Sequence, residues 1–173
     1  MRRIRNIAFL LAAASVILLA STRIGCTQDL KWSVVLKSVR AEYGDVTHIT
    51  TDSLASRLSD TSRARPVLLD TRTEAEFVVS HLAGAIHVDP SNPRVDELDL
   101  ARDAEIVTYC SVGYRSSAVA RALQEEGFTN VSNLEGSIFK WANEGRPIAG
   151  TDGSPADTVH PYSRFWAPLL NDE

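Results

Sequence analysis

Cys110 and Arg115 stand within the run Ile106-Val107-Thr108-Tyr109-Cys110-Ser111-Val112-Gly113-Tyr114-Arg115-Ser116-Ser117. A cysteine attacks as its thiolate, so the free thiol value of about 8.5 must fall for it to work at neutral pH. The apolar residues Ile106 to Tyr109 read as a buried strand that delivers Cys110 to the carboxyl edge of a sheet, where open α/β folds bind ligands. A helix opening near Ser116 turns its unpaired N–H groups and positive dipole end back onto the loop, making an anion site. Arg115 adds a full positive charge in a planar fork suited to oxyanions, and Gly113 admits backbone geometry that a side chain would block. The pattern calls for Cys110 as nucleophile. Ser111, Val112, Gly113, Tyr114, Arg115 and Ser116 would hold its anionic partner. A cysteine used only as a small buried hydrophobe would need none of these neighbours.

Two chemistries use such a loop. Phosphate-ester and arsenate chemistry places five residues between the cysteine and the arginine, and sulfur transfer places one fewer. Cys110 and Arg115 enclose four residues, and the smaller ring of amides suits a persulfide sulfur better than a tetrahedral phosphate. No acid stands out to protonate an alkoxide leaving group. Sulfur transfer is the preferred chemistry, with a phosphatase or arsenate reductase as the lesser alternative.

The elements that must position this loop alternate along the chain. Apolar residues at helical spacing (Trp32, Val35, Leu36, Val39, Tyr43) predict a helix from Leu30 to about Tyr43 that packs on the domain or lies along a membrane. Val46 to Ile49 is strand-like, and a helix from Thr51 to Leu58 follows a Thr cap. Val67 to Leu69, ending in Asp70, is a short continuous apolar run suited to a strand buried on both faces. Thr73 and Glu76 form a capping box for a helix reaching about Ser80. Ala85 to Val88 and Glu105 to Tyr109 are strands with a loop at Pro90 to Pro93 between them. A helix from Ser116 to Glu126 stops at Gly127, Val131 to Leu134 is the last strand, and a helix from Ser137 to Glu144 ends before Gly145 and Pro147. Strands separated by helices predict an α/β fold with a parallel central sheet and helices on both faces.

With these elements placed, the chain resembles the rhodanese family over about residues 46 to 148. Leu68-Leu69-Asp70-Thr71-Arg72 with Glu76-Phe77 and His81-Leu82-Ala83-Gly84-Ala85 is similar to the family's first signature. The loop from Cys110 to Ser116 is similar to the sulfurtransferase loop. Gly127-Phe128-Thr129-Asn130-Val131, Leu134-Glu135-Gly136, Trp141 and Gly145-Arg146-Pro147 resemble the closing signature. The resemblance implies a rhodanese-like fold and a persulfide mechanism. In it Cys110 takes a sulfane sulfur from a small anionic donor such as thiosulfate and passes it to a thiol or cyanide-like acceptor. The amides from Ser111 to Ser116 stabilise the added sulfur, and Arg115 orients the donor. A noncatalytic module of the same family, binding an anion or a protein partner, is the alternative from a different functional class.

Other candidates have plainer readings. Asp70 and Arg72, at the end of a neighbouring strand, read as structural support, an ion pair bracing the sheet edge. His81, after a helix, is expected to fix a turn by a hydrogen bond rather than to pair with Cys110, and His87 is the other histidine that invites such a pairing. Trp141, at helical spacing with Ile138, is expected in the core. Tyr114 reads as a loop-tip residue shaping the donor pocket.

Composition bounds the rest. The chain has 173 residues, 44% apolar and 23% charged, with 18 basic against 22 acidic side chains and a net charge of −4. That is enough for one domain with attachments. No basic stripe interleaved with aromatics appears, so nucleic acid is not an expected partner. The two cysteines, Cys26 and Cys110, form no C-x-x-C pair, so neither a zinc site nor a dithiol is indicated. No metal and no cofactor are expected.

Arg2, Arg3 and Arg5 precede the apolar run Ile7 to Ala20, which Ser21, Thr22 and Arg23 interrupt; this reads as an export signal or short membrane anchor over residues 1–25. Cleavage after Ala20, lipid attachment at Cys26 after Gly25, and retention as an anchor are the three outcomes it allows, Arg23 standing where the lipid motif wants an apolar residue. Each leaves the domain outside the cytoplasm, with possible membrane association through the N-terminus; a mis-assigned start would leave it cytoplasmic. The expected organisation is therefore a linking helix at 26–45, the rhodanese domain at 46–149 and a C-terminal extension at 150–173. In that extension Tyr162, Phe165, Trp166, Leu169 and Leu170 are candidates for docking, and His160-Pro161-Tyr162 reads as a packed extension or a lid.

Overall fold

The computed structural model describes residues 28–171, so the basic and apolar N-terminal segment and Cys26 lie outside the described residues. Two compact units divide the chain between Val34 and Val35. Of the first, residues 28–34 are described and are helical; they open helix α1, residues 28–42. In the second unit Val39 of this helix is buried, and Arg40 binds Glu135 through both guanidinium and carboxylate arms. From Val35 onward, then, the linking helix packs on the domain. Among the described residues no helix is long and apolar enough to cross a membrane.

The elements follow in the order β1 (Thr47–Ile49), α2 (Thr51–Ser59), β2 (Val67–Asp70), α3 (Glu74–Phe77), β3 (Ile86–His87), a 3₁₀ turn (Val95–Leu98), β4 (Ile106–Tyr109), α4 (Tyr114–Glu125), β5 (Val131–Leu134) and α5 (Ser137–Asn143). Strands β1 to β5 form one parallel sheet in the order β1-β5-β4-β2-β3. Every residue of β4 and β5 is buried, as a strand covered on both faces requires. On one face Leu69, Ile106 and Val131 pack with Val119, Ala120 and Leu123 of α4. The residues that alternate with them along the strands point the other way, where α2 and α5 pack on each other.

The ends of elements differ from the pattern-based expectation by a few residues, each for a local reason. The Val46 amide donates to the Tyr43 carbonyl, closing the turn after α1, so β1 begins at Thr47. Helix α3 stops at Phe77 instead of Ser80: Val78 and Val79 are exposed, and the Ser80 carbonyl accepts from Arg72 instead of extending the helix. Helix α4 begins at Tyr114, not Ser116, because the cysteine sulfur caps it.

The C-terminal extension is ordered against the domain. A short hairpin joins the last domain residues, β6 (Ile148–Ala149), to β7 (Pro155–Ala156) of the extension, and a bridge between His81 and Ala149 ties it to the loop after α3. Leu169, in a closing 3₁₀ turn (Ala167–Leu169), is buried. Asn143 of α5 clamps this end, donating to the Leu169 carbonyl at 2.7 Å and accepting from the Asn171 amide at 2.9 Å. Phe165, in contrast, is 78% exposed.

Candidate active site

Strand β4 ends at Tyr109, and the next residue, Cys110, is buried at the sheet edge. Its backbone is fixed from α5: the Cys110 amide donates to Ser137 Oγ at 3.1 Å, and the Ile138 amide donates to the Cys110 carbonyl at 3.2 Å. The chain then turns through Gly113, whose φ of +120° lies where side chains rarely go. Helix α4 has no side-chain N-cap. Cys110 Sγ takes that place, accepting from the Gly113 amide at 3.1 Å and from the Ser116 amide. Burial pushes the Cys110 thiol up. The Arg115 charge, the Ser116 hydroxyl when turned toward sulfur, and the two amides outweigh it, leaving the thiol below its ordinary value.

Tyr114 and Arg115 therefore belong to the first turn of α4 rather than to the loop. Arg115 is held by Glu76: Nη1 and Nη2 meet the two carboxylate oxygens at 2.8 Å each, and Nη2 also reaches Ser111 Oγ at 2.9 Å. Ser111 donates to Glu76 at 2.7 Å. Glu76 is at the same time the capping-box residue of α3, accepting from the Thr73 amide and hydroxyl. Burial works against this carboxylate, yet Arg115, Ser111 and Thr73 hold it down at about 2. Its partner Arg115 is raised further above its ordinary range. The positive charge at the rim is thus matched by a buried negative one.

Above the sulfur lies a cavity of about 200 Å³. Cys110, Ser111, Val112, Tyr114 and Arg115 line it from one side, and Tyr162 and Trp166 of the C-terminal extension from the other. The Arg115 guanidinium sits 4.5 Å from the Tyr162 ring centre, and Tyr114 faces Trp166 at 6.4 Å. Of the sequence-derived site residues, Gly113 and Ser116 touch the sulfur from the helix side instead of lining the cavity.

Behind the sulfur runs a polar chain. Ser116 Oγ is 3.4 Å from Cys110 Sγ and 2.6 Å from Oδ1 of the fully buried Asn133. Asn133 Nδ2 is 3.1 Å from His48 Nδ1, and His48 Nε2 is 3.0 Å from the Tyr43 carbonyl.

Asp70 and Arg72 form a fully buried ion pair one strand away. Arg72 Nη2 meets Asp70 Oδ2 at 2.7 Å, and the Arg72 amide and Nε bond Oδ1 at 3.0 and 2.9 Å. The remaining Nη2 bond goes to the Ser80 carbonyl, so the pair ties β2 to the end of α3. His81 stacks on Phe77 at 4.0 Å and bonds its carbonyl through Nδ1, while His87 Nε2 bonds the Arg72 carbonyl at 2.8 Å. Both histidines fix backbone. Trp141 is buried. Among the described residues no cluster of three or more His, Cys, Asp or Glu is arranged to hold a metal ion.

Glu76, Asn133 and His48 join the site without having been singled out for it from sequence, whereas Tyr162 and Trp166, expected to dock somewhere and Tyr162 also as part of a lid, are found on the cavity wall. Glu76 was legible as a cap, but its second role depends on a partner 39 positions away. Residues 50–144 match the family described as Rhodanese-like domain. A protein named sulfurtransferase from Allochromatium vinosum is 32% identical over 108 residues, covering 62% of this chain and 99% of that one. A tRNA uridine(34) hydroxylase from Pectobacterium carotovorum is 34% identical over 86 residues, 46% of this chain but only 24% of the hydroxylase. Among solved structures, a rhodanese-related protein from Thermoplasma volcanium superposes with a TM-score of 0.52 at 27% identity, covering 60% of this chain and 97% of that one.

Proposed function

Because the chain belongs to the rhodanese-like domain family, we propose that it is a sulfurtransferase that carries sulfur on Cys110 as a persulfide. The observation that carries this reading is the sulfur itself, which caps α4 at the floor of a cavity and accepts from the Gly113 and Ser116 amides. The thiolate attacks the outer sulfur of a donor such as thiosulfate. A Cys110–S bond forms, the donor's S–S bond breaks, and its electron pair leaves with sulfite. A thiol or cyanide-like acceptor then attacks the terminal sulfur of Cys110–S–S⁻, and the thiolate returns. The first step moves no proton, and neither does the second when cyanide is the acceptor. A thiol acceptor gives up its proton to solvent and attacks as the thiolate, which suits a site where both histidines nearest the family motif are engaged with carbonyls. Arg115, tied to Glu76, contributes charge and a fixed cavity wall more than a free fork.

Incubation with thiosulfate followed by intact mass measurement is the test. A gain of one sulfur, absent in Cys110→Ala, is the expected result. No gain with thiosulfate or other sulfane donors would instead favour a noncatalytic module of the family. Turnover of an aryl phosphate or arsenate would favour the phosphatase or reductase reading.

The basic residues Arg2, Arg3 and Arg5 ahead of Ile7 to Ala20 support a location outside the cytoplasm, with the N-terminus as signal or anchor. Cell fractionation with N-terminal sequencing is expected to find the chain exported or with the membrane. A cytoplasmic chain retaining Met1 overturns this placement.

A further inference from the structure

One hydroxyl hydrogen cannot serve two acceptors, yet Ser116 Oγ lies within reach of both Asn133 Oδ1 at 2.6 Å and Cys110 Sγ at 3.4 Å. Which one it serves is decided further along the chain of bonds. The Tyr43 carbonyl can only accept, so His48 Nε2 must carry hydrogen. In the neutral imidazole Nδ1 is then bare and accepts from Asn133 Nδ2. That orientation turns Asn133 Oδ1 toward Ser116 and draws the hydroxyl hydrogen to it. From this hydroxyl Cys110 then meets a lone pair instead of a hydrogen, which suits a thiol S–H and opposes the anion that the Gly113 and Ser116 amides favour.

Protonation of His48 leaves its Nε2 bond to the Tyr43 carbonyl in place and reverses the bonds beyond Nδ1. Nδ1 becomes a donor, so the buried amide of Asn133 must turn to offer Oδ1 to it. The amide's Nδ2 then faces Ser116 Oγ and donates, and the hydroxyl hydrogen is released toward sulfur.

We propose that His48 and Asn133 are positioning residues that couple proton uptake at His48 to the anionic state of Cys110, acting through the Ser116 hydroxyl. The coupling is reciprocal: an anion at Cys110 must tighten proton binding at His48. His48 is half-buried and so can exchange protons with solvent. The charged groups around it are Asp45, just before β1, and Arg121 of α4, which is bound to Asp45. From α1 it meets the Tyr43 carbonyl, and from β5 it meets Asn133. This deepens the sulfur-transfer reading, because it sets when the proposed nucleophile and its persulfide receive a third donor. Its test is independent of turnover.

The imidazole titration of His48, followed by NMR in the full chain, is to be compared before and after Cys110 is alkylated with iodoacetamide. Loss of the anion is expected to weaken proton binding at His48 about fivefold or more, the lower end of ordinary site–site coupling. Direct charge attraction would act in the same direction, so the comparison is repeated in Ser116→Ala, where the effect should shrink by at least half. Should that variant fold poorly, Asn133→Asp in the same comparison serves instead, since its carboxylate can only accept and cannot relay the reversal. A shift of equal size with and without the relay overturns the proposal, as does no shift at all. Failure of the thiosulfate mass test, with this coupling intact, would overturn sulfur transfer and leave the relay standing.

Discussion

Glu76 does three things with one carboxylate: it caps α3, fixes Arg115 and orders Ser111. Removing a partner from a buried ion pair is costly because the other charge is left without compensation. Its depressed value also gives a pH signature. A carboxyl lowered from 4.5 to about 2 contributes stability that is fully present above about pH 4.5 and is lost as pH falls toward 2. The linked free energy is about 3 kcal/mol. Denaturant unfolding at pH 7 and pH 3 should show the unmodified protein losing stability across that window. Glu76→Gln should start lower at pH 7 and lose less. Equal pH dependence in the two proteins would mean that Glu76 does not carry this acid sensitivity.

At the scale of elements, the C-terminal extension shapes the site as much as α4 does. Tyr162 adopts a left-handed backbone, φ +59°, in a tight turn where its amide donates to His160 Nδ1 at 3.0 Å. The turn lays its ring on Arg115, and Trp166 closes the wall opposite Tyr114. Half-buried Trp166 contributes little to the core, whereas Leu169 is buried and Asn143 clamps the end. Trp166→Ala should therefore leave unfolding nearly unmoved while opening the cavity. Faster alkylation of Cys110 and a several-fold higher KM for the sulfur donor are the expected readouts. An unchanged alkylation rate would place the extension outside the access route. The aromatic residues of the tail announced docking from their type alone, but not its destination, because a wall is made by contact across some fifty positions of sequence.

Across the whole molecule, what could be read in advance was what local chemistry dictates. The apolar runs Val67 to Leu69 and Ile106 to Tyr109 became paired neighbours in a parallel sheet, Leu68 beside Val107. The capping box at Thr73 and Glu76 formed as its spacing demanded. Element ends shifted where a neighbouring group took up a backbone partner, as with the Cys110 sulfur that starts α4 two residues early. The site divides in the same way. Cys110, Gly113 and Arg115 lie within six consecutive residues and were legible. Asn133 meets Ser116, and His48 meets Asn133, only because β1 pairs with β5 and β5 with β4, an order no local pattern contains.

The sulfur that caps α4 is also a mechanical part of the molecule, and it changes during the proposed cycle. A persulfide moves the negative charge about 2 Å outward, to the far sulfur, while alkylation abolishes it. A helix whose first amides face an anion loses up to about 2 kcal/mol when that anion disappears, or about 2–4 °C per kcal/mol in a domain of this size. Thermal scans should thus rank the thiolate and persulfide forms close together and the alkylated form several degrees lower. Identical melting of all three would mean that the helix does not sense its cap. If the ranking holds, the chain carries its own gauge: the heat resistance of the fold reports the charge on the reacting atom, with no substrate present.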